Sequence, residues 1–264
     1  MTGIRPQSKT PIWGVLLICA SLVVALIAAL PARAQQSPGP LEGKTYGKGD
    51  EVLFVVLHGD LSSGANAQYH YDVARRISQT HPKATAFGLI RPGYSDDEGR
   101  TSPGSNNGRR DQYTADNNRL VAETIANLKE STGAEYVIAM GHSGGAAQIG
   151  TIIGTHPGVV DLAVLVGCPC DVPRWRQTLG RRAFPNSQSP ADHVDAVPAS
   201  TRVIALTGAN DDNTFSALAE DYVAALTARG IDASFNEVAS GEHNYGGRLR
   251  FTVEQVIDRE IFAR

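Results

Sequence analysis

Three short stretches hold the residues best suited to chemistry. Gly-His-Ser-Gly-Gly at 141–145 sets Ser143 among glycines, Leu-Thr-Gly-Ala-Asn-Asp-Asp-Asn at 206–213 carries Asp211, and Ala-Ser-Gly-Glu-His-Asn-Tyr-Gly-Gly at 239–247 carries His243. A serine hydroxyl is a weak nucleophile near neutral pH, so a serine, an imidazole and a carboxylate together are the groups of acyl transfer. A glycine-rich turn holding a serine is most often only a turn. Here the order Ser, Asp, His along the chain, each at the end of an apolar run, weighs for the chemical reading. The spacing Gly208-x-x-Asp211 selects Asp211 over its neighbour Asp212 and over Asp171, which follows another apolar run. No other histidine follows Asp211 in the chain, so His243 has no rival as base; His58 reads as structural in its turn.

These residues need a scaffold, and six apolar runs supply one: EVLFVVLHG, KATAFGLIRPG, EYVIAMG, VDLAVLVG, TRVIALTG and ASFNEVA. Most lack polar alternation and lead into a helical pattern or a loop, which predicts a mostly parallel sheet with helices on both faces. Helices are expected over Ala65–Gln79, about Tyr113–Glu130, Ala146–Thr155, Thr214–Ala228 and from Leu249 onward, with an irregular segment after VDLAVLVG. Glu135 to Met140 reads as a buried strand, so Ser143 falls on a strand-to-helix turn. In open sheets of this kind ligands bind beyond the carboxyl ends of the strands, where all three candidate residues lie. Two connections exceed what packing needs: the Gly/Ser/Asn-rich loop after RPGY, and residues 171–198, an Arg-rich insertion with Trp175 and Phe184 that reads as a small cap or as a solvated excursion.

Gly141-His-Ser143-Gly-Gly145 with both partners resembles the nucleophile elbow of the α/β-hydrolases, and the likeness runs from Glu51 to Arg264. VVLHGD resembles the strand end that supplies part of that family's oxyanion hole, RPGY its next strand-end turn, GANDD its acid turn and GEH the turn that delivers its base. The resemblance implies that Ser143 attacks a carbonyl carbon, that His243 takes and returns the proton, and that Asp211 orients the imidazole. It implies further that the backbone N–H groups of Gly144 and of Asp60 or Leu61 receive the oxyanion. Asp60 departs from the family pattern, since a carboxylate there opposes an oxyanion unless it turns away or pairs with Arg91. The HGGG stretch of many lipases is absent, which argues against a large acyl site of that type.

The chain has 264 residues, ordinary in apolar content for one globular domain, and a net charge of −3. Removing Arg5, Lys9 and Arg33 with the first 34 residues leaves −6, so nothing favours a nucleic-acid partner. Arg5 and Lys9, an apolar stretch from Ile12 to Leu30 and then PARAQQ read as an export signal over 1–34, placing the domain in the periplasm or outside the cell. An uncleaved membrane anchor over 12–30 is the alternative. Residues 35–50 read as a linker and 51–264 as the hydrolase domain. Cys168 and Cys170 sit one residue apart, a spacing that is no metal signature and that predicts buried free thiols rather than a bridge. No metal and no organic cofactor is called for.

The reading from sequence is thus a serine hydrolase acting on carboxylic esters of small to medium size. A serine peptidase or aminopeptidase on the same residues is the nearest alternative, with Ser95-Asp-Asp-Glu98 read as an ammonium site or, more simply, as a solvated acidic loop. A hydrolase-fold protein that binds a ligand without catalysis is the alternative of another class.

Overall fold

The structure is a computed structural model that describes residues 1–3 and 39–264. The apolar segment expected as signal or anchor lies outside the described residues, among which no helix is long and apolar enough to cross a membrane. The compact unit from Ser37 to Arg264 is built on seven strands: β1 (Gly43–Tyr46), β2 (Val52–Leu57), β3 (Ala84–Leu89), β4 (Tyr136–His142), β5 (Leu162–Val166), β6 (Arg202–Gly208) and β7 (Ala233–Val238). Their order across the sheet is β1-β3-β2-β4-β5-β6-β7, all parallel except β1. This is the mostly parallel sheet expected from the six apolar runs, and the α/β-hydrolase architecture that the motif resemblance implies.

The inner strands alternate between two apolar layers, which is why their sequences do not alternate in polarity. Leu53, Val55 and Leu57 of β2 face one layer, while Val52, Phe54 and Val56 face the other. The first is closed by Val121 and Ile125 of α2 (Ala115–Thr132), Ile149 and Ile152 of α3 (Gly144–Thr155) and Val223 and Leu226 of α5 (Ala217–Ala228). The second is closed by Val73 and Ile77 of α1 (Tyr69–Thr80) and Val253 and Ile257 of α6 (Gly247–Phe262).

Helix starts shift from the expected positions for local reasons. The Thr114 hydroxyl accepts from Asn117 N at 3.3 Å and so caps α2 at Ala115, as a threonine before a helix does. Thr214 is bound to Asp211 through both its N–H and its hydroxyl, so α5 begins later, at Ala217.

Two expectations are corrected. Residues 43–46, within the expected linker, form β1, which pairs antiparallel with β3 from Gly43↔Leu89 to Tyr46↔Ala86. Four residues containing Gly and Lys give no apolar run, and backbone pairing to a preformed edge makes the strand. Cys168 and Cys170, expected as free thiols, are joined in a disulfide with their Cα atoms 5.1 Å apart. That separation is within the range a disulfide spans and is shorter than the roughly 6.6–7.2 Å that a fully extended chain holds between alternate residues, so the backbone is bent at Pro169 between the two cysteines.

The segment between β5 and β6 holds α4 (Val172–Thr178) and a 3₁₀ helix at Pro190–Ala196. Asp171 accepts from Arg174 N at 3.0 Å and caps α4, a structural task that removes it from the competition for the acid.

Candidate active site

The chain runs from β2 to β3 on one side and then to β4 on the other, so the strand order reverses beside β2. A crevice at such a reversal is where open sheets bind ligands. Leu57 of β2 lies opposite Gly141 of β4, which brings His58-Gly59-Asp60 alongside His142-Ser143-Gly144.

Ser143 has φ 53° and ψ −118°, the left-handed side of the map that a non-glycine residue rarely occupies. Its flanking glycines are steric requirements. A Cβ on Gly141 would lie 2.3 Å from the Gly145 carbonyl oxygen, and one on Gly145 would lie 2.7 Å from those of Leu57 and His58. Strand and helix can close around the serine only without those side chains. The Ser143 N–H donates to Val166 O at 2.8 Å, fixing the turn to β5.

The three candidate side chains meet. His243 Nε2 is 3.0 Å from Ser143 Oγ, and His243 Nδ1 is 2.8 Å from Asp211 Oδ2. Asp211 is well anchored, since Oδ1 accepts from Asn213 N at 2.9 Å and Thr214 N at 2.7 Å, and Oδ2 accepts from Thr214 Oγ1 at 2.7 Å. Burial pushes this carboxyl up, but the His243 ring and the Thr214 donors outweigh it and hold the group below its usual range. Asp212 is exposed.

Asp60 is paired in the manner the opposing charge requires. Its Oδ1 pairs with Arg91 Nη1 at 2.9 Å and its Oδ2 accepts from the Tyr113 hydroxyl at 2.6 Å. Arg91 is itself buried, donating through Nε to Gln148 Oε1 at 2.5 Å and through its backbone N–H to His58 Nε2 at 3.0 Å. The pair lies over Gly144, where a Cβ would come within 1.9 Å of Asp60 Oδ1. Only glycine fits after the nucleophile.

A chain of hydrogen bonds that the sequence did not reveal ties the two sides of the site. Gly59 N–H donates to Tyr69 Oη at 2.7 Å, Tyr69 Oη–H donates to His142 Nδ1 at 2.7 Å, and His142 Nε2–H donates to the His243 carbonyl at 2.8 Å. Burial, then the neighbouring His243, lowers the His142 pKa to about 4, so the ring is neutral and the direction of the chain is fixed. Asn213 is a second residue that no sequence signal marks; its Nδ2 lies 3.0 Å from His243 Nε2.

Above Ser143 and His243 opens a cavity of about 1120 Å³, walled by the loop after β3 and by residues 175–186 of the segment after β5. The acids of Ser95-Asp-Asp-Glu98 do not line it. Asp96 binds Tyr71 and Arg100, Asp97 binds Asn66, and Glu98 binds Lys44 and Arg100.

No curated protein matches the sequence, but the model of the Prolyl oligopeptidase family, a peptidase family, matches residues 95–261. The chain belongs to the prolyl oligopeptidase family. This prolyl oligopeptidase family member is, in reaction class, a serine hydrolase on the α/β-hydrolase fold. Among solved structures it is similar to a thermophilic esterase from Thermogutta terrifontis with propionate bound, at 13% identity and TM-score 0.63 over 86% of this chain and 95% of that one. Esterase PE8 is similar at 17% identity and TM-score 0.61, over 84% of this chain and 99% of that one. A puromycin hydrolase is similar at 15% identity and TM-score 0.59, over 80% of this chain and 33% of its own. At these identities the likeness is one of fold.

Proposed function

We propose that the protein hydrolyses carboxylic esters of small to medium size, with Ser143 as nucleophile, His243 as general base and acid, and Asp211 as its orienting carboxylate. The observation that carries this is the relay of 3.0 Å from Ser143 Oγ to His243 Nε2 and 2.8 Å from His243 Nδ1 to Asp211 Oδ2. Ser143 Oγ attacks the carbonyl carbon as His243 takes its proton. The tetrahedral intermediate collapses as its C–O bond breaks and His243 protonates the departing alcohol. Water, deprotonated by the same imidazole, then releases the acid and regenerates the serine. The oxyanion is received by the N–H of Gly144 and by that of Asp60 or Leu61, where each donor contributes about 10²–10³ in turnover. The Asp60–Arg91 pair supports this, because it leaves no free carboxylate to oppose the developing charge.

An ester is favoured over an aminopeptidase substrate by the walls of the cavity. They carry arginines and no unengaged carboxylate, a poor receptor for the ammonium group of an aminopeptidase substrate. The peptidase reading keeps one observation in its favour, the family match.

Fluorophosphonate labelling tests the reading: an adduct at Ser143, absent in Ser143→Ala, is expected, and a folded wild-type protein that takes no label is a binding protein. Comparing p-nitrophenyl acyl esters with aminoacyl nitroanilides then separates the two substrates, and faster amide turnover makes the protein a peptidase. Export to the periplasm or beyond, proposed from residues 1–34, is tested by the N-terminal sequence of the protein recovered from each compartment.

A further inference from the structure

The cavity above Ser143 is lined by five arginines from two separate segments: Arg109 and Arg110 after β3, and Arg176, Arg181 and Arg182 after β5. This is a local concentration in a chain whose net charge is −3. Among the described residues, every other arginine except Arg248 and Arg264 pairs with a carboxylate. None of these five does. The two carboxylates in the wall are engaged elsewhere. Asp60 is held by Arg91 and Tyr113, and Asp111 accepts from Asn186 Nδ2 at 2.7 Å and Ser187 N at 2.8 Å.

Three of the guanidinium groups are held in place by neutral partners. Arg109 donates to the carbonyls of Leu61, Gly64 and Ala65. Arg176 lies over the rings of Phe184 at 4.2 Å and Trp175 at 4.9 Å and donates from Nε to Arg182 O at 2.9 Å. Arg181 donates to Asn213 Oδ1 at 2.6 Å, while the amide nitrogen of that same Asn213 is 3.0 Å from His243 Nε2. One side chain therefore separates Arg181 from the base. Burial first, and then the charge of Arg181, lower the Arg176 pKa. Guanidinium forks fixed by neutral acceptors and stacked on rings suit a planar or tetrahedral oxyanion.

We propose that the cavity selects esters carrying an anionic head group, a carboxylate or a phosphate, which Arg176 and Arg181 hold while Ser143 attacks the ester carbonyl. The proposal rests on the serine-hydrolase reading and adds its substrate class. The bonds made and broken are those of ester hydrolysis through the acylated serine, and the anionic group is unchanged by the reaction.

The test compares kcat/KM of the full chain for matched pairs of esters. Mono-p-nitrophenyl glutarate against p-nitrophenyl butyrate puts a carboxylate on the acyl side. Para-acetoxyphenyl phosphate against phenyl acetate puts a phosphate on the leaving group. In at least one pair the anionic ester is expected to be preferred by roughly 10-fold or more at low salt, with the preference shrinking as ionic strength rises. The salt dependence needs no variant. Arg176→Gln with Arg181→Gln lowers the preference about 10-fold, while Arg174→Gln, which removes an arginine paired with Asp221 outside the cavity, does not change it. Neutral esters turned over with no anionic preference in either pair overturn the proposal and leave the hydrolase reading intact. If nothing is labelled or turned over, the hydrolase reading fails, and tryptophan emission on titration with glutarate and with inorganic phosphate decides the anion site alone. No change in emission overturns it.

Discussion

Tyr69 and Tyr245 stack with ring centroids 5.8 Å apart, and losing the hydroxyl from each should have opposite consequences. Tyr69 Oη accepts from Gly59 N and donates to His142 Nδ1, both at 2.7 Å. In Tyr69→Phe the Gly59 N–H and His142 Nδ1 both lose their partner, at a cost of about 1–3 kcal/mol for each buried group left unpaired. Gly59 and His142 are both buried, so the range applies to each and the sum is about 2–6 kcal/mol. For a domain of this size, at about 2 °C per kcal/mol, that lowers Tm by roughly 4–12 °C. Tyr245 Oη is buried and has no hydrogen-bond partner among the described residues, so Tyr245→Phe removes an unsatisfied polar atom and should be neutral or stabilising. Turnover should divide in the same way, because only Tyr69 orients the His142 ring that supports the His243 carbonyl. Urea denaturation and kcat of the two variants side by side provide the assay. Equal destabilisation by both changes, or a Tyr69→Phe protein as stable and active as wild type, refutes the hydrogen-bond chain.

Asp211→Asn keeps the acceptor for the Thr214 and Asn213 N–H groups but frees His243 to adopt the wrong tautomer; kcat should fall by about 10⁴ with a small change in Tm. Gly145→Ala drives a Cβ to 2.7 Å from two carbonyl oxygens and should cost about 3 kcal/mol, read from the urea midpoint; an unchanged midpoint argues against the tight strand-helix closure. Stability should also decline as the solution is acidified. Burial, first among the causes, lowers the pKa of His58 well below normal, of His70 to about 3 and of His142 to about 4. Each folded pKa lies below the unfolded value near 6.5, so the unfolded chain binds more protons in between. Stability is then full above about pH 6.5 and lost as pH falls toward 4, by several kcal/mol at pH 5. Urea unfolding at pH 7.5 and pH 5 measures this, and a flat profile refutes it. Asp211, Asp96 and Asp258, held below the usual carboxylate range, lose their contributions only at lower pH.

What could be read from the sequence was whatever depends on local sterics and strand patterning. Gly141 and Gly145 mark the elbow because a Cβ would collide there, and Gly208 and Gly241 mark the turns that carry Asp211 and His243. The central strands betrayed themselves by being apolar on both faces. Tyr69 and Asn213 were not legible, since partners far apart in the chain give them their meaning, and the arginines of residues 171–198 stood out only as a cluster, equally readable as a surface strip, until folding set them beside Arg109. Arg109 and Arg181 look like any surface arginine until folding sets both above Ser143. The linker expectation failed at β1 because a four-residue edge strand takes its stability from β3 rather than from its own composition. The free-thiol expectation failed because the chain is bent at Pro169, bringing together two cysteines that an extended chain would hold farther apart.

The antiparallel strand Gly43–Tyr46 lies along β3 and covers what would otherwise be a bare parallel rim. At the opposite rim, β7 presents Ser234, Asn236 and Glu237 to solvent. An uncovered rim of backbone donors and acceptors is a template for adding strands from other molecules. A four-residue outer edge on one side and a polar, charged strand on the other shorten and blunt that template, and removal of residues 39–46 should lay bare the full six-residue edge of β3.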